Sequence, residues 1–292
     1  MFQSKSLGSQ VTYLRLLPCL LVVWALFLSV ACATSPLGRK QLMLVPETQM
    51  DQMGAEAFQQ LKVKEAVDTQ PDNSRYVHCL VGPLTVTTQN KYPGEALPKS
   101  WETVVFKSDS VNAFALPGGK VGVYTGLLKV AKTDAQLAAV LGHEIGHVIA
   151  RHGAERMSQQ AGTQLGLAAL GHLTRDNPNR DILMGLLGVG VQVGILLPYS
   201  REQEREADLI GLDLMAIAGF DPRQSVALWK NMILASSGKE PPQILSTHPA
   251  SLSRIEALQK HMPDALVLFN QAHAEGRRPV CIPPALAPET GP

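Results

Sequence analysis

Net charge is nearly missing from this sequence. Its 26 lysines and arginines stand against 25 aspartates and glutamates, with no long run of either sign. A nucleic-acid footprint needs a basic patch or stripe, so no nucleic acid is expected as a partner. Internal repeats are lacking as well, and long apolar runs are few. Leu16 to Ala31 and Ile182 to Leu197 are the two candidates, both short for spanning helices, which begin at roughly 17 residues. The first lies behind Lys5 and Arg15 and ends in the small residues Ser29-Val30-Ala31-Cys32, the layout of an export signal, with an uncleaved anchor as the other outcome. The second, rich in glycine and closed by Pro198, reads as a buried or substrate-facing segment, with membrane insertion as its alternative.

Cysteine is scarce: Cys19, Cys32, Cys79 and Cys281. Ala31-Cys32-Ala33 resembles a bacterial lipoprotein processing site, although Ser29 stands where leucine is usual. Ala33 in place of an aspartate after the cysteine then implies an outer-membrane anchor. With Cys19 removed and Cys32 lipidated, Cys79 and Cys281 remain as an even pair in an oxidising compartment. A disulfide and two free thiols both fit, because separation along the chain does not report Cα distance.

What is present suffices for one large domain: 292 residues, 45% of them hydrophobic, can bury a substantial core. The expected organisation is a signal or lipoprotein segment over 1–32 and a domain over 33–292 with its core at about 45–275. Met50, Met53, Ala57, Phe58 and Leu61 recur at helical spacing, ending before a turn at Pro71-Asp72-Asn73. From Thr103 to Val123 short β-branched runs surround Pro117-Gly118-Gly119, the pattern of a small antiparallel sheet. Thr133 and Gln136 form a capping-box signature opening a helix from about Asp134 to His152. Further helices are expected near 201–218, 222–235 and 252–261. The fold class is α+β, mainly α-helical.

On the helix that opens at Asp134, His143-Glu144-Ile145-Gly146-His147 places two imidazoles one turn apart, able to share one metal, with Glu144 at the rim as a general base. Catalytic zinc needs a third protein ligand and an open position. The acidic stretch Arg201 to Asp208 offers candidates, among which Glu204 and Asp208 share a face, so that one carboxylate can bind the metal while the other orients a ligand histidine. Alone, that stretch would read as a solvated charged face.

These residues, together with Tyr199-Ser200-Arg201, Ser246-Thr247-His248-Pro249 before Arg254-Ile255, and Asn112-Ala113-Phe114 before Leu116-Pro117-Gly118-Gly119, resemble the peptidase family of the CAAX prenyl proteases, HtpX and the bacterial periplasmic proteins LoiP and BepA. The resemblance covers most of the chain after its first segment. It implies a zincin-type fold with the small sheet beside the zinc helix and one zinc ion (Zn2+) per chain. By position it implies His143, His147 and Glu204 as ligands, Glu144 as catalytic base and Asp208 as a supporting or proton-donating carboxylate. The tetratricopeptide domain of BepA and the multiple spans of HtpX are missing, so short LoiP-type lipoproteins are the nearer likeness, and partner recognition by BepA does not carry over.

The expected activity is zinc-dependent hydrolysis of peptide bonds in cell-envelope proteins, with misfolded proteins as substrates and a membrane contact through the N-terminal lipid or signal anchor. The edge strand near Asn112 to Leu116 is a candidate for holding an extended peptide. The rival reading is a chaperone-like outer-membrane assembly factor with a latent or gated zinc site. His248 has two functional readings, gate of the open metal position or oxyanion donor, and a bland one as a turn residue. His152, five residues past His147, is assigned to another side of the helix, in a structural or surface role.

Overall fold

The computed structural model describes residues 32–93, 95, 97–173, 199–236, 243–249 and 251–284. The expected export segment before Cys32, the polar, turn-prone stretch 174–179 expected as a loop, the apolar stretch 182–197 and Pro241-Pro242 lie outside these residues. Among the described residues, no helix is long and apolar enough to cross a membrane.

A short antiparallel hairpin, β1 (Cys32–Thr34) and β2 (Lys40–Leu42), leads into α1 (Glu47–Lys64), which buries Met50 and Phe58. The Pro71-Asp72-Asn73 turn is instead the first turn of α2 (Pro71–Lys91). Proline at the first helical position lacks only an N–H that would have no partner there, and Asp72 complements the positive end of the helix dipole. Tyr76, Val77, Leu80 and Leu84 carry this helix into the core.

The small sheet contains β3 (Glu102–Phe106), β4 (Ala113–Leu116) and β5 (Lys120–Tyr124) in the order β3-β5-β4. Its β4–β5 hairpin is antiparallel as expected, but β3 joins β5 in parallel. The connection after β3 passes the end of β5, where Ser108 accepts from the Gly126 N–H and donates its own N–H to Thr125 Oγ1. The chain therefore begins β4 on the far side of β5, and β4 is an edge strand among the described residues.

After α3 (Thr125–Val130), Thr133 caps α4 (Asp134–Ile149) by accepting from the Gln136 N–H, while the Gln136 side chain reaches back to the Lys132 N–H. Every residue of α4 from Ala135 to Ile149 is buried, so the metal motif stands on a central helix. This helix stops short of the expected His152. Arg151 adopts a left-handed backbone, φ 53°, and His152 begins a new helix, α5 (His152–Leu173).

The Ser200–Gln203 capping box opens α6 (Arg201–Ile217), followed by α7 (Arg223–Ser236), the short α8 (Gln243–Thr247) and α9 (Leu252–Ala274). The last runs well past the expected His261, through Pro263. A disulfide between Cys79 and Cys281 ties α2 to the C-terminal tail.

Helices α4 and α6 meet backbone to backbone. A Cβ on Gly146 would stand 2.8 Å from the Ala207 carbonyl oxygen, and one on Gly211 would stand 2.6 Å from the His143 nitrogen. Only glycine permits that approach, and it brings the carboxylates of α6 within reach of the histidines of α4.

Candidate metal centre

His143, Glu144 and His147 on α4, Glu204 and Asp208 on α6, and His248 just after α8 are all buried. Ligand atoms of His143, His147, Glu204 and His248 lie within 4.8 Å of one another. His147 Nε2 is 3.1 Å from His143 Nε2, which is 3.2 Å from His248 Nδ1. Glu204 Oε1 is 2.9 Å from His248 Nδ1 and 3.4 Å from His147 Nε2, and its other oxygen is 3.5 Å from His143 Nε2. Ligands ~2.0–2.1 Å from a tetrahedral zinc stand roughly 3.3 Å apart, so the group has the size of one coordination shell.

The buried Glu144 Oε1 has no hydrogen-bond partner among the described residues and lies 3.6 Å from His248 Nε2. A buried, unpartnered carboxylate oxygen is costly unless something else meets it. Together with a nitrogen and carboxylate donor set of the kind zinc prefers, this makes the residues fit a zinc ion.

The far side of each helix histidine is held differently. His143 Nδ1 is 3.0 Å from Asp208 Oδ1, and Arg254 on α9 grips Asp208 through Nε and Nη2 at 2.7 Å each. Arg254 also reaches Glu204 Oε2 at 2.6 Å and lies 4.0 Å over the Trp229 ring. Burial opposes charge on His143, but the carboxylates of Asp208 and Glu204 outweigh it and hold its pKa up at about 9. Asp208 is likewise pushed up by burial and pulled below its ordinary value by Arg254 and His143.

His147 Nδ1 instead meets another imidazole, His152 Nδ1, at 2.9 Å, and His152 Nε2 is 3.1 Å from Glu206 Oε2. Burial drives the pKa of both rings down. Tyr199 covers the His147 ring at 4.1 Å between centroids and stacks on His248 at 5.3 Å. Glu204 stays ionised because its histidine neighbours outweigh burial.

The structure thus brings together all six residues singled out in the sequence. His152 is outside the ligand group yet fully buried, because the helix ends before it; the expectation that it faces another side of the same helix does not hold. Arg254 entered the sequence analysis only within a segment of resemblance. Trp229 carried no signal, since Arg254 and His143, which it meets, lie far away along the chain.

A cavity of 240 Å³ opens on His147, lined also by Ala115, Leu116, Pro117, Arg156 and Tyr199. The outer edge of β4, beside this cavity, pairs with no other strand among the described residues.

The sequence matches peptidase family M48 over residues 71–262. It is 40% identical over 170 residues to the mitochondrial metalloendopeptidase OMA1 of Schizosaccharomyces pombe, an alignment covering 57% of this chain and 48% of that protein. It is 30% identical over 261 residues to the metalloendopeptidase OMA1 of Danio rerio, covering 85% and 54%, and 30% identical over 211 residues to the beta-barrel assembly-enhancing protease of Escherichia coli, covering 70% and 42%. The chain spans about half the length of these relatives.

Proposed function

The chain belongs to peptidase family M48, whose members use zinc, and on that premise we propose that it is a zinc metalloendopeptidase with His143, His147 and Glu204 as ligands and Glu144 as general base. The observation that carries the reading is Glu144 Oε1, without a hydrogen-bond partner among the described residues and buried beside the converging ligand atoms. A purely structural site has no use for that oxygen. Bound zinc supplies a Lewis acid toward the scissile carbonyl and lowers the pKa of water.

Glu144 takes the proton of the attacking water and delivers it to the leaving amine. Asp208 keeps His143 oriented; with its pKa lowered and its oxygens committed to Arg254 and His143, it holds no proton to donate near neutrality. The free edge of β4 receives an extended substrate by strand addition, with a side chain entering the cavity beside His147. Glu144→Gln is expected to retain zinc and fold while peptide hydrolysis falls by ~2–4 orders of magnitude. Near-normal turnover of the zinc-loaded variant would remove Glu144 from this role.

His248 gates the site. Its Nδ1 lies among the ligand atoms, where it competes with water and substrate, and Arg254 tethers its loop through the His248 and Pro249 carbonyls at 3.4 and 3.2 Å. His248→Ala is expected to raise peptidase activity. A fall of roughly 10²–10³-fold with zinc retained would instead mark an oxyanion donor.

The enzyme acts in the cell envelope, on misfolded envelope proteins, in quality control. Supporting this placement are the processing-site pattern at Cys32, the Cys79–Cys281 disulfide, which suits an oxidising compartment, and similarity to a relative named for enhancing β-barrel assembly. Incorporation of labelled lipid that disappears in Cys32→Ser is the expected result, and labelling that survives the substitution would reject the lipoprotein anchor.

A further inference from the structure

The β1–β2 hairpin and the turn that closes it lie outside the region matched to the family, yet they reach Glu206 and Glu155, groups that stand behind the metal site. Arg39 donates through Nε to Glu206 Oε2 at 2.9 Å and through both terminal nitrogens to Glu155 at 2.6 and 2.7 Å. Ser35 donates to the other oxygen of Glu206. Gln41 on β2 donates to the Ala150 carbonyl at 2.7 Å, at the break between α4 and α5, and the Leu44 and Val45 N–H groups reach Ser158 Oγ on α5. Gln203 of the α6 capping box donates to Glu155 at 2.8 Å. Glu155 and Glu206 are buried, and Arg39 is the cation between them.

Hydrogen-bond direction along this chain follows from one condition. If His147 ligates through Nε2, a neutral ring carries its proton on Nδ1. Among the described residues that proton points at His152 Nδ1, 2.9 Å away, which then accepts. The proton of His152 is then on Nε2 and points at Glu206 Oε2, whose two oxygens also receive Arg39 and Ser35. Each group has one role, and each role is filled from the hairpin inward.

We propose that the hairpin is a working part of the metal site: Arg39 and Ser35 are positioning residues that fix Glu206, Glu206 fixes His152, and His152 fixes the tautomer and angle of His147. This rests on the assignment of His147 as a zinc ligand. Partners behind a ligating histidine set its basicity and orientation, and losing one typically weakens metal affinity about 10–100-fold.

The test is zinc affinity by chelator competition on the full chain, with melting of the zinc-free protein measured alongside. Glu206→Gln, which keeps size and shape, and His152→Phe, which keeps a ring but cannot accept, should each weaken zinc binding by about 10–100-fold. His152→Gln, able to accept from His147 and donate to Glu206, should recover most of the affinity. Arg39→Met should act in the same direction, and adding it to Glu206→Gln should cost less than the sum of the two, because both interrupt one chain of contacts. A lowered melting temperature with zinc affinity within about twofold of wild type in Glu206→Gln and Arg39→Met would overturn the proposal and leave the hairpin as a brace. His147→Ala separates the premise: wild-type zinc affinity there refutes the ligand assignment itself.

Discussion

His143 and His147 are the same residue type, one turn apart on one helix, yet their surroundings are opposite. Behind His143 stands a carboxylate, Asp208, backed by a buried arginine. Behind His147 stands another imidazole, His152, backed by a carboxylate and a partly exposed arginine from the N-terminal hairpin. His143 is thereby pulled toward its charged form, to a pKa of about 9 against the effect of burial, while burial takes His147 well below its ordinary value. Burial opposes charge on both rings; the carboxylates of Asp208 and Glu204 outweigh it at His143, whereas the hydrogen bond to Glu204 does not outweigh it at His147. A two-histidine motif read from sequence presents two equivalent candidate ligands, and the fold gives them unequal surroundings.

The largest separation between the two flanks should come from removing their arginines. Arg254→Met removes the arginine that grips both Asp208 and Glu204, which are buried, and breaking a buried pair in this way typically costs about 3–5 kcal/mol of stability. Arg39→Met should cost less, about 1–3 kcal/mol, since its side chain is 25% exposed and its partners keep Gln203, Gln41, Ser35 and His152. Urea unfolding of the two variants measures the difference, and equal losses would erase the distinction between an internal and a peripheral clamp.

A smaller effect separates them in acid. Burial alone would raise the Glu206 pKa, but hydrogen bonds from His152, Ser35 and Arg39 bring it from 4.5 to about 2. Its folded value is depressed, so its stabilisation is present above the unfolded value of 4.5 and is lost as pH falls toward 2. Glu206→Gln should therefore flatten the stability profile between those two values, as measured by melting temperature against pH. An unchanged acid limb would mean that Glu206 is not the ionised anchor of its flank. Glu202, with a side chain 68% exposed, is the neighbour suited to serve as a control, because Glu206 is bound to the chain of contacts behind His147.

Much of the site was legible because its chemistry is encoded at short range. His143 and His147 are four apart on a helix whose cap, Thr133 with Gln136, is itself local, and Glu204 and Asp208 repeat the same spacing on α6. Other elements failed for local reasons that sequence patterns do not weigh. Pro71-Asp72-Asn73 reads equally as a turn and as a helix start, and only the burial of Tyr76, Val77 and Leu80 selects the helix. The antiparallel reading of the sheet caught the β4–β5 hairpin but could not see that the connection after β3 runs past the end of β5.

By itself the sequence pointed to a candidate metal-binding helix, an acidic helix suited to serve it and the peptidase family they match, because ligand spacing along an α-helix is a matter of a few consecutive residues. It left open whether Cys79 and Cys281 are joined and what compensates the buried carboxylates, and it placed His152 on another side of the helix. Those were decided by tertiary structure alone. The left-handed turn at Arg151 swings His152 back onto His147, glycine-lined contact between α4 and α6 sets the depth at which Glu204 meets the histidines, and packing brings Arg254 and Arg39 to charges that are distant in the chain. Burying a carboxylate requires a partner, but the identity of that partner follows from which segments the core brings into contact.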